Sequence, residues 1–243
     1  MDARSTLSYI LLLALATPSW GQVGVQEEAD RVILRSESST LTLSKAAQGA
    51  VVSLKDRATG QEFIAPGPGA PLFQLTATRA GERSGDTVTL GAREARRLAV
   101  ELIRESGRET ASLRYDGFAE YPALTVQCRA TVSPGDPLIR WRLSVSGPAA
   151  LVLEDCRFPA MVLTDRLGTD RSDDRALAGA TEDGAYAAPG DWRVGYQRSY
   201  VQPGSLAAQF ACLYDPSGGV FTATQDGVGT PKQIGRASCR ERV

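Results

Sequence analysis

Leu124-Thr125-Val126-Gln127-Cys128-Arg129-Ala130-Thr131-Val132 sets the apolar Leu124, Val126, Cys128, Ala130 and Val132 against the polar Thr125, Gln127, Arg129 and Thr131, a period of two. Only extended backbone sends alternate side chains to opposite faces, so the stretch predicts a half-buried strand. Ser133-Pro134-Gly135-Asp136-Pro137 follows, its prolines fixing φ and its glycine permitting the reversal. Ile139, Trp141, Leu143 and Val145 then alternate with Arg140, Arg142 and Ser144, and the two runs together predict a hairpin.

The same alternation recurs on both sides. Leu41 and Leu43, then Val51, Val52 and Leu54, then Phe73, Leu75 and Ala77, then Val88 and Leu90 predict short strands at intervals of about ten to fifteen residues. Asp56-Arg57-Ala58-Thr59-Gly60 supplies a turn between two of them. Ala92 to Glu105 carries two signals, helical propensity in Arg93, Glu94, Arg96 and Arg97 and strand alternation at Val100 and Leu102. A hairpin around Ser106-Gly107-Arg108 is the reading adopted, because Leu113 and Tyr115 resume the alternation. Thr164 to Gly190 is predicted to be a long loop or a set of short excursions. Ala208 to Tyr214 and Val220 to Thr224, joined by Asp215-Pro216-Ser217-Gly218-Gly219, predict a second hairpin. Many short strands, polar turns and no amphipathic helix predict an all-β antiparallel sandwich.

Ahead of these strands, Arg4 precedes the apolar run Ile10 to Ala16, and Ser19 and Gly21 stand before a cleavage point at Gln22. Residues 1–21 therefore read as a secretory signal peptide, which places the mature protein outside the cell or in the periplasm. The run is much shorter than the ~20 residues a spanning helix needs, so no membrane insertion is expected. Residues 22–30 read as a linker and 31–232 as the sandwich domain. Roughly 210 mature residues bury about 70 % of their unfolded surface, enough for one large domain or two small ones.

Charge and residue counts narrow the chemistry. The formal net charge is −1, which leaves no basic excess to neutralise phosphates and argues against a nucleic-acid partner. The chain contains no histidine, excluding Ser-His-Asp and Cys-His catalysis and His-ligated zinc within it. With Cys239 set aside in the C-terminal tail, Cys128, Cys156 and Cys212 remain, an odd number. A Cys128–Cys156 bridge would close a loop of about 29 residues and stabilise by roughly 3 to 4 kcal/mol. Three buried thiols are the favoured alternative, since Cys128 lies on the apolar side of its strand.

Asp165, Asp170, Asp173 and Asp174 offer oxygen ligands that suit calcium, but their spacing departs from the EF-hand pattern. The favoured reading is a solvated acidic loop partly neutralised by Arg166, Arg171 and Arg175, with no metal and no cofactor. Gln209, Asp215 and Asp226 are expected to bond across a domain junction. Trp192, Tyr196 and Tyr200, mixed with Asp191, Arg193, Gln197 and Arg198, form the densest aromatic and polar cluster. An aromatic face covers the C–H surface of a sugar while fixed polar groups bond its hydroxyls, so Trp192, Tyr196, Tyr200 and Gln197 are the candidate glycan-binding residues. Packing of these rings against a neighbouring domain is the alternative. No acidic residue stands in a context that singles it out as one of the carboxyl pair a glycosidase requires.

Two stretches carry a resemblance. Ser38-Ser39-Thr40-Leu41 through Gly49-Ala50-Val51-Val52-Ser53-Leu54-Lys55-Asp56-Arg57-Ala58-Thr59-Gly60 resembles the first hairpins of the galactose-mutarotase-like supersandwich domains that precede glycosidase barrels. Pro203 through Asp215 and Gly218 through Asp226 are similar to an uncharacterised family of secreted bacterial proteins, itself distantly like endo-alpha-N-acetylgalactosaminidases. In that family the second strand closes on Thr-His-Asp. Here Thr224-Gln225-Asp226 puts glutamine in the histidine's place, so no role of that imidazole carries over. The resemblance implies a supersandwich followed, after Lys232, by a catalytic β/α barrel that this chain does not contain.

Residues 233–243 are expected to lie outside the natural protein. Ile234-Gly235-Arg236-Ala237-Ser238-Cys239-Arg240-Glu241-Arg242-Val243 resembles the in-frame translation of a sequencing-library adapter. The expected function is therefore that of a non-catalytic N-terminal domain of a secreted glycoside-hydrolase-like protein. Its expected partners are a glycan or polysaccharide and its own C-terminal barrel. A stand-alone carbohydrate-binding or adhesion module is the alternative.

Overall fold

The computed structural model describes residues 22–79, 87–148, 151–164, 166–180, 185–187, 197–202, 206–223 and 232–238. Residues 1–21 and 239–243 are among those outside them.

Strands β1 (Gly24–Glu27), β2 (Arg31–Arg35), β3 (Ser39–Ser44) and β4 (Ala50–Asp56) form an antiparallel meander in the order β1-β2-β3-β4. β5 (Gln74–Arg79) pairs with β6 (Thr87–Gly91). β7 (Arg97–Glu105), β8 (Arg108–Asp116), β9 (Thr125–Val132) and β10 (Arg140–Ser146) form a second four-stranded meander, and β11 (Leu151–Arg157) returns to pair with β5. Val32, Leu34, Leu41, Leu43 and Val51 from the first sheet share one core with Leu75 and Leu90 from the β5–β6 pair and Leu113, Tyr115, Val126 and Cys128 from the second. Every sheet is antiparallel, and no α-helix occurs among the described residues.

The expected central hairpin is present, with Cys128 opposite Leu143 and Val126 opposite Val145. The strands read at Leu41, Val51, Phe73 and Val88 are β3 to β6. The two signals in Ala92 to Glu105 resolve in sequence order. Ala92–Glu94 is a single 3-10 turn, closed by Glu94 Oε2 accepting the Gly91 N–H at 2.7 Å, and β7 begins three residues later. Gly107, at φ +78°, makes the turn into β8.

Residues 22–30 do not form a linker. Val25 is buried in the shared core, and its N–H donates to Glu109 Oε2 at 2.8 Å, fastening β1 against the β7–β8 hairpin. A four-residue strand with polar neighbours is too short for alternation to reveal. The two meanders are also clasped at their turns, where the Gly135 N–H donates to Glu37 Oε1 at 2.6 Å and Ser38 Oγ donates to the Pro137 carbonyl at 2.7 Å.

Downstream, β12 (Arg175–Ala180), β13 (Ala185–Ala187), β15 (Leu206–Asp215) and β16 (Gly218–Ala223) form a sheet ordered β13-β12-β15-β16. The hairpin expected near Ala208 is the β15–β16 pair. The predicted long loop is corrected, because Arg175 to Ala180 pairs with β15. Alanine and glycine lend little intrinsic preference to a strand, and it is the pairing partner that holds this segment extended. β14 (Gln197–Gln202) pairs with β17 (Lys232–Ser238).

Burial makes the core sensitive to alkali. Desolvation pushes the Cys128 thiol far above its usual range, with Cys156 adding to the effect, and desolvation does the same to the Tyr115 phenol, with Cys128 adding. Both groups keep their protons in the folded state while the unfolded chain loses them near pH 9 and 10 respectively. Stability is thus intact below about pH 9 and falls as pH rises, by up to ~1.4 kcal/mol per pH unit for each group. Urea midpoints measured from pH 8 to 11 should fall progressively, and above pH 10 Tyr115→Phe should fall less steeply than the parent chain. A flat profile would contradict this.

Candidate functional site

The acidic residues divide by position. The short turn Arg171–Asp173 leads into β12 and brings Asp173 and Asp174 against Asp215 at the end of β15, with carboxylate oxygens of the three within 4.8 Å of one another. Asp174 is not solvated as the sequence suggested: it is 1 % exposed, and both its oxygens lie 3.2 Å from the buried Leu167 N–H. Asp170 does stay at the surface, where the Ser172 N–H and then its hydroxyl hold the carboxyl below its usual range. Asp165 lies outside the described residues.

Asp215 is committed to the β15–β16 turn. Its Oδ1 accepts the N–H groups of Ser217 and Gly218, both at 2.8 Å. Ser217 Oγ lies 2.7 Å from that oxygen and 3.0 Å from Gln61 Oε1, so its single proton links the turn to one or the other. Asp215 thus bonds within its own turn, and Ser217 brings that turn to Gln61 in the connection between β4 and β5. Gln209 has no described side chain and Asp226 lies outside the described residues.

An all-oxygen set suits a hard cation, but calcium takes six to eight such ligands and three carboxylates fall short. Asp215 Oδ1 is already taken by hydrogen bonds, which leaves Asp173 Oδ1, buried and without a hydrogen-bond partner among the described residues. The three carboxylates are brought side by side by the pairing of β12 with β15, with Asp174 accepting from Leu167 and Asp215 from its own turn. Asp174→Ala would leave the buried Leu167 N–H without its acceptor and should lower stability by about 1–3 kcal/mol. Asp174→Asn, which keeps an acceptor oxygen, should lose less in urea titration; equal losses would place the effect elsewhere.

Of the residues chosen as a glycan platform, Trp192 and Tyr196 lie outside the described residues. Gln197 and Tyr200 are on β14, with backbones opposite Ser238 and Ile234 of β17. Burial keeps Cys128 protonated, and desolvation also raises Cys156, to about 11, and Cys212, so none of these three is a ready nucleophile. The expectation of three buried thiols fails at Cys156, which is exposed on β11 at the edge of its sheet. Among the described residues Cys128, Cys156 and Cys212 are all free.

Recesses open on the sandwich. One, of about 290 Å³, is lined by Glu27, Lys45, Gln48, Leu98 and Val100. Its own ion pair spans it, with Lys45 Nζ 2.5 Å from Glu27 Oε1 and 2.7 Å from the Glu28 carbonyl. Another, of about 180 Å³, is apolar and lined by Leu75, Ala77, Leu90, Val145, Leu151 and Leu153 among others. No helix among the described residues is long and apolar enough to cross a membrane. No family model matches the chain, and no curated protein is similar to it.

Proposed function

We propose that this chain is the N-terminal, non-catalytic β-supersandwich of a secreted glycoside-hydrolase-like protein acting on extracellular glycans, and that its task is to brace a catalytic β/α barrel. The observation that supports the reading is an apolar edge. On β11 the adjacent Val152 and Leu153 are 49 % and 44 % exposed, and Val162 in the next segment is 49 % exposed. Leu153 also lines the apolar recess between β10 and the β5–β6 pair. Consecutive apolar residues on an edge strand invite association unless another element covers them, and a bracing domain needs such a face. The buried, protonated Cys128 and the missing histidine fit a domain without chemistry of its own.

Two assays test this. The chain alone should not turn over aryl-glycosides; turnover would contradict the non-catalytic reading. Val152→Ser/Leu153→Ser should reduce both self-association and the fluorescence of a dye that reports apolar surface. If neither changes, that edge is not the bracing face.

A further inference from the structure

We infer that the outer face of the β9–β10 hairpin is a docking platform for an acidic polysaccharide, one whose sugars carry carboxylates. The hairpin register sets Arg129 directly opposite Arg142. Like charges in that relation repel, so the pairing costs the fold stability unless an anion lies between them. Both side chains are exposed, and neither has a carboxylate partner among the described residues. On the neighbouring strand Arg114 stands opposite Gln127, next along β9 on the same face; it is exposed and already paired with Asp116 at 3.9 Å, so the two cations on offer are Arg129 and Arg142.

The rest of the face fits a sugar chain better than other polymers. Its outward residues on β9 and β10 are Thr125, Gln127, Arg129, Thr131, Arg140, Arg142, Ser144 and Ser146, with no apolar centre of the kind a protein interface requires. It carries no aromatic ring on which a base could stack, and the chain as a whole has no basic excess. What it does offer is two guanidinium forks, which pair with carboxylates in bidentate fashion. Beside them Gln127, whose Nε2 donates to Ser112 Oγ at 3.0 Å, is held in place with Ser144 directly opposite. Fixed amide and hydroxyl groups next to paired cations match the hydroxyls and carboxylates of a uronic-acid polymer. The platform uses none of Trp192, Tyr196, Gln197 and Tyr200 and rests on the extracellular-glycan reading only for the class of polymer.

Affinity electrophoresis in native gels containing polygalacturonate, neutral dextran or single-stranded DNA tests the proposal. The parent chain should be retarded by polygalacturonate alone, and Arg129→Ser/Arg142→Ser should weaken that retardation at least tenfold. Arg104→Ser/Arg108→Ser, which removes the same charge at the far end of the β7–β8 hairpin, should behave like the parent chain. Thermal melts check that both variants fold, and removing two opposed like charges should not lower the midpoint. Parent mobility unchanged by polygalacturonate, equal losses in both double variants, or equal retardation by DNA would each overturn the proposal. Retained binding to a neutral glycan, lost in Trp192→Ala, would then show that the failure belongs to this platform and not to the glycan reading.

Discussion

Tyr115→Ala should lower the free energy of unfolding by about 3–5 kcal/mol, the range for removing a large ring from a packed interior. Tyr115 is fully buried at the end of β8, where it meets Phe73 edge-on with centroids 4.9 Å apart. Its hydroxyl donates to the Gln48 carbonyl at 3.1 Å, in the turn between β3 and β4. One side chain therefore fills the space between the two meanders and supplies a hydrogen bond to the turn that directs the first of them. Tyr115→Phe keeps the ring and loses only that bond, so its cost should be nearer 1 kcal/mol. Urea denaturation of the three chains at neutral pH decides the matter; similar losses in both variants would show that the hydrogen bond, not the packing, dominates.

Gly49→Ala should be nearly as damaging, at roughly 2–5 kcal/mol, because two costs coincide. Gly49 has φ +78°, a conformation a β-carbon disfavours, and follows Gln48 at φ +52° in the same turn. An added Cβ would also lie 2.3 Å from Tyr115 Oη and 2.8 Å from Leu113 Cδ2. The first of these contacts disappears with the phenolic oxygen, while the φ cost and the Leu113 contact remain. Gly49→Ala/Tyr115→Phe should accordingly be more stable than the two single losses added together predict. Strict additivity would mean that the backbone conformation alone excludes alanine.

These residues show what the chain declares about its fold. Val126, Cys128 and Ala130 announce their strand because a half-buried sheet imprints a period of two, and the loop between Val132 and Ile139 then makes a hairpin the simplest connection. Tyr115 falls on the apolar phase of β8 for the same reason. β12 is silent because Ala176, Ala178 and Gly179 carry little preference, and its extended form depends on β15, some thirty residues later. β1 is silent because four residues are too few for a period.

The candidate sites follow the same division. Asp173 and Asp174 stand out as a charged run, but their approach to Asp215 depends on the distant pairing of β12 with β15, and so does the burial of Asp174. The exposure of Cys156 reflects the edge position of β11, which only the sheet order decides. Arg129 and Arg142 were visible as polar members of two alternating runs; their direct opposition came from the register. The aromatic and polar character of Trp192, Tyr196, Gln197 and Tyr200 is a property of sequence, and their use as a glycan platform is an expectation that rests on the sequence.

Sequencing the gene from unsheared source DNA across and beyond the Lys232 codon is the most direct test of the central claim that this sandwich braces a catalytic barrel. The account predicts that the frame leaves the adapter-like decapeptide behind and runs on for roughly 250 codons or more of alternating strand and helix, with acidic residues at the C-terminal ends of strands. A stop codon directly after Val243 would contradict it and leave the sandwich a binding module in its own right.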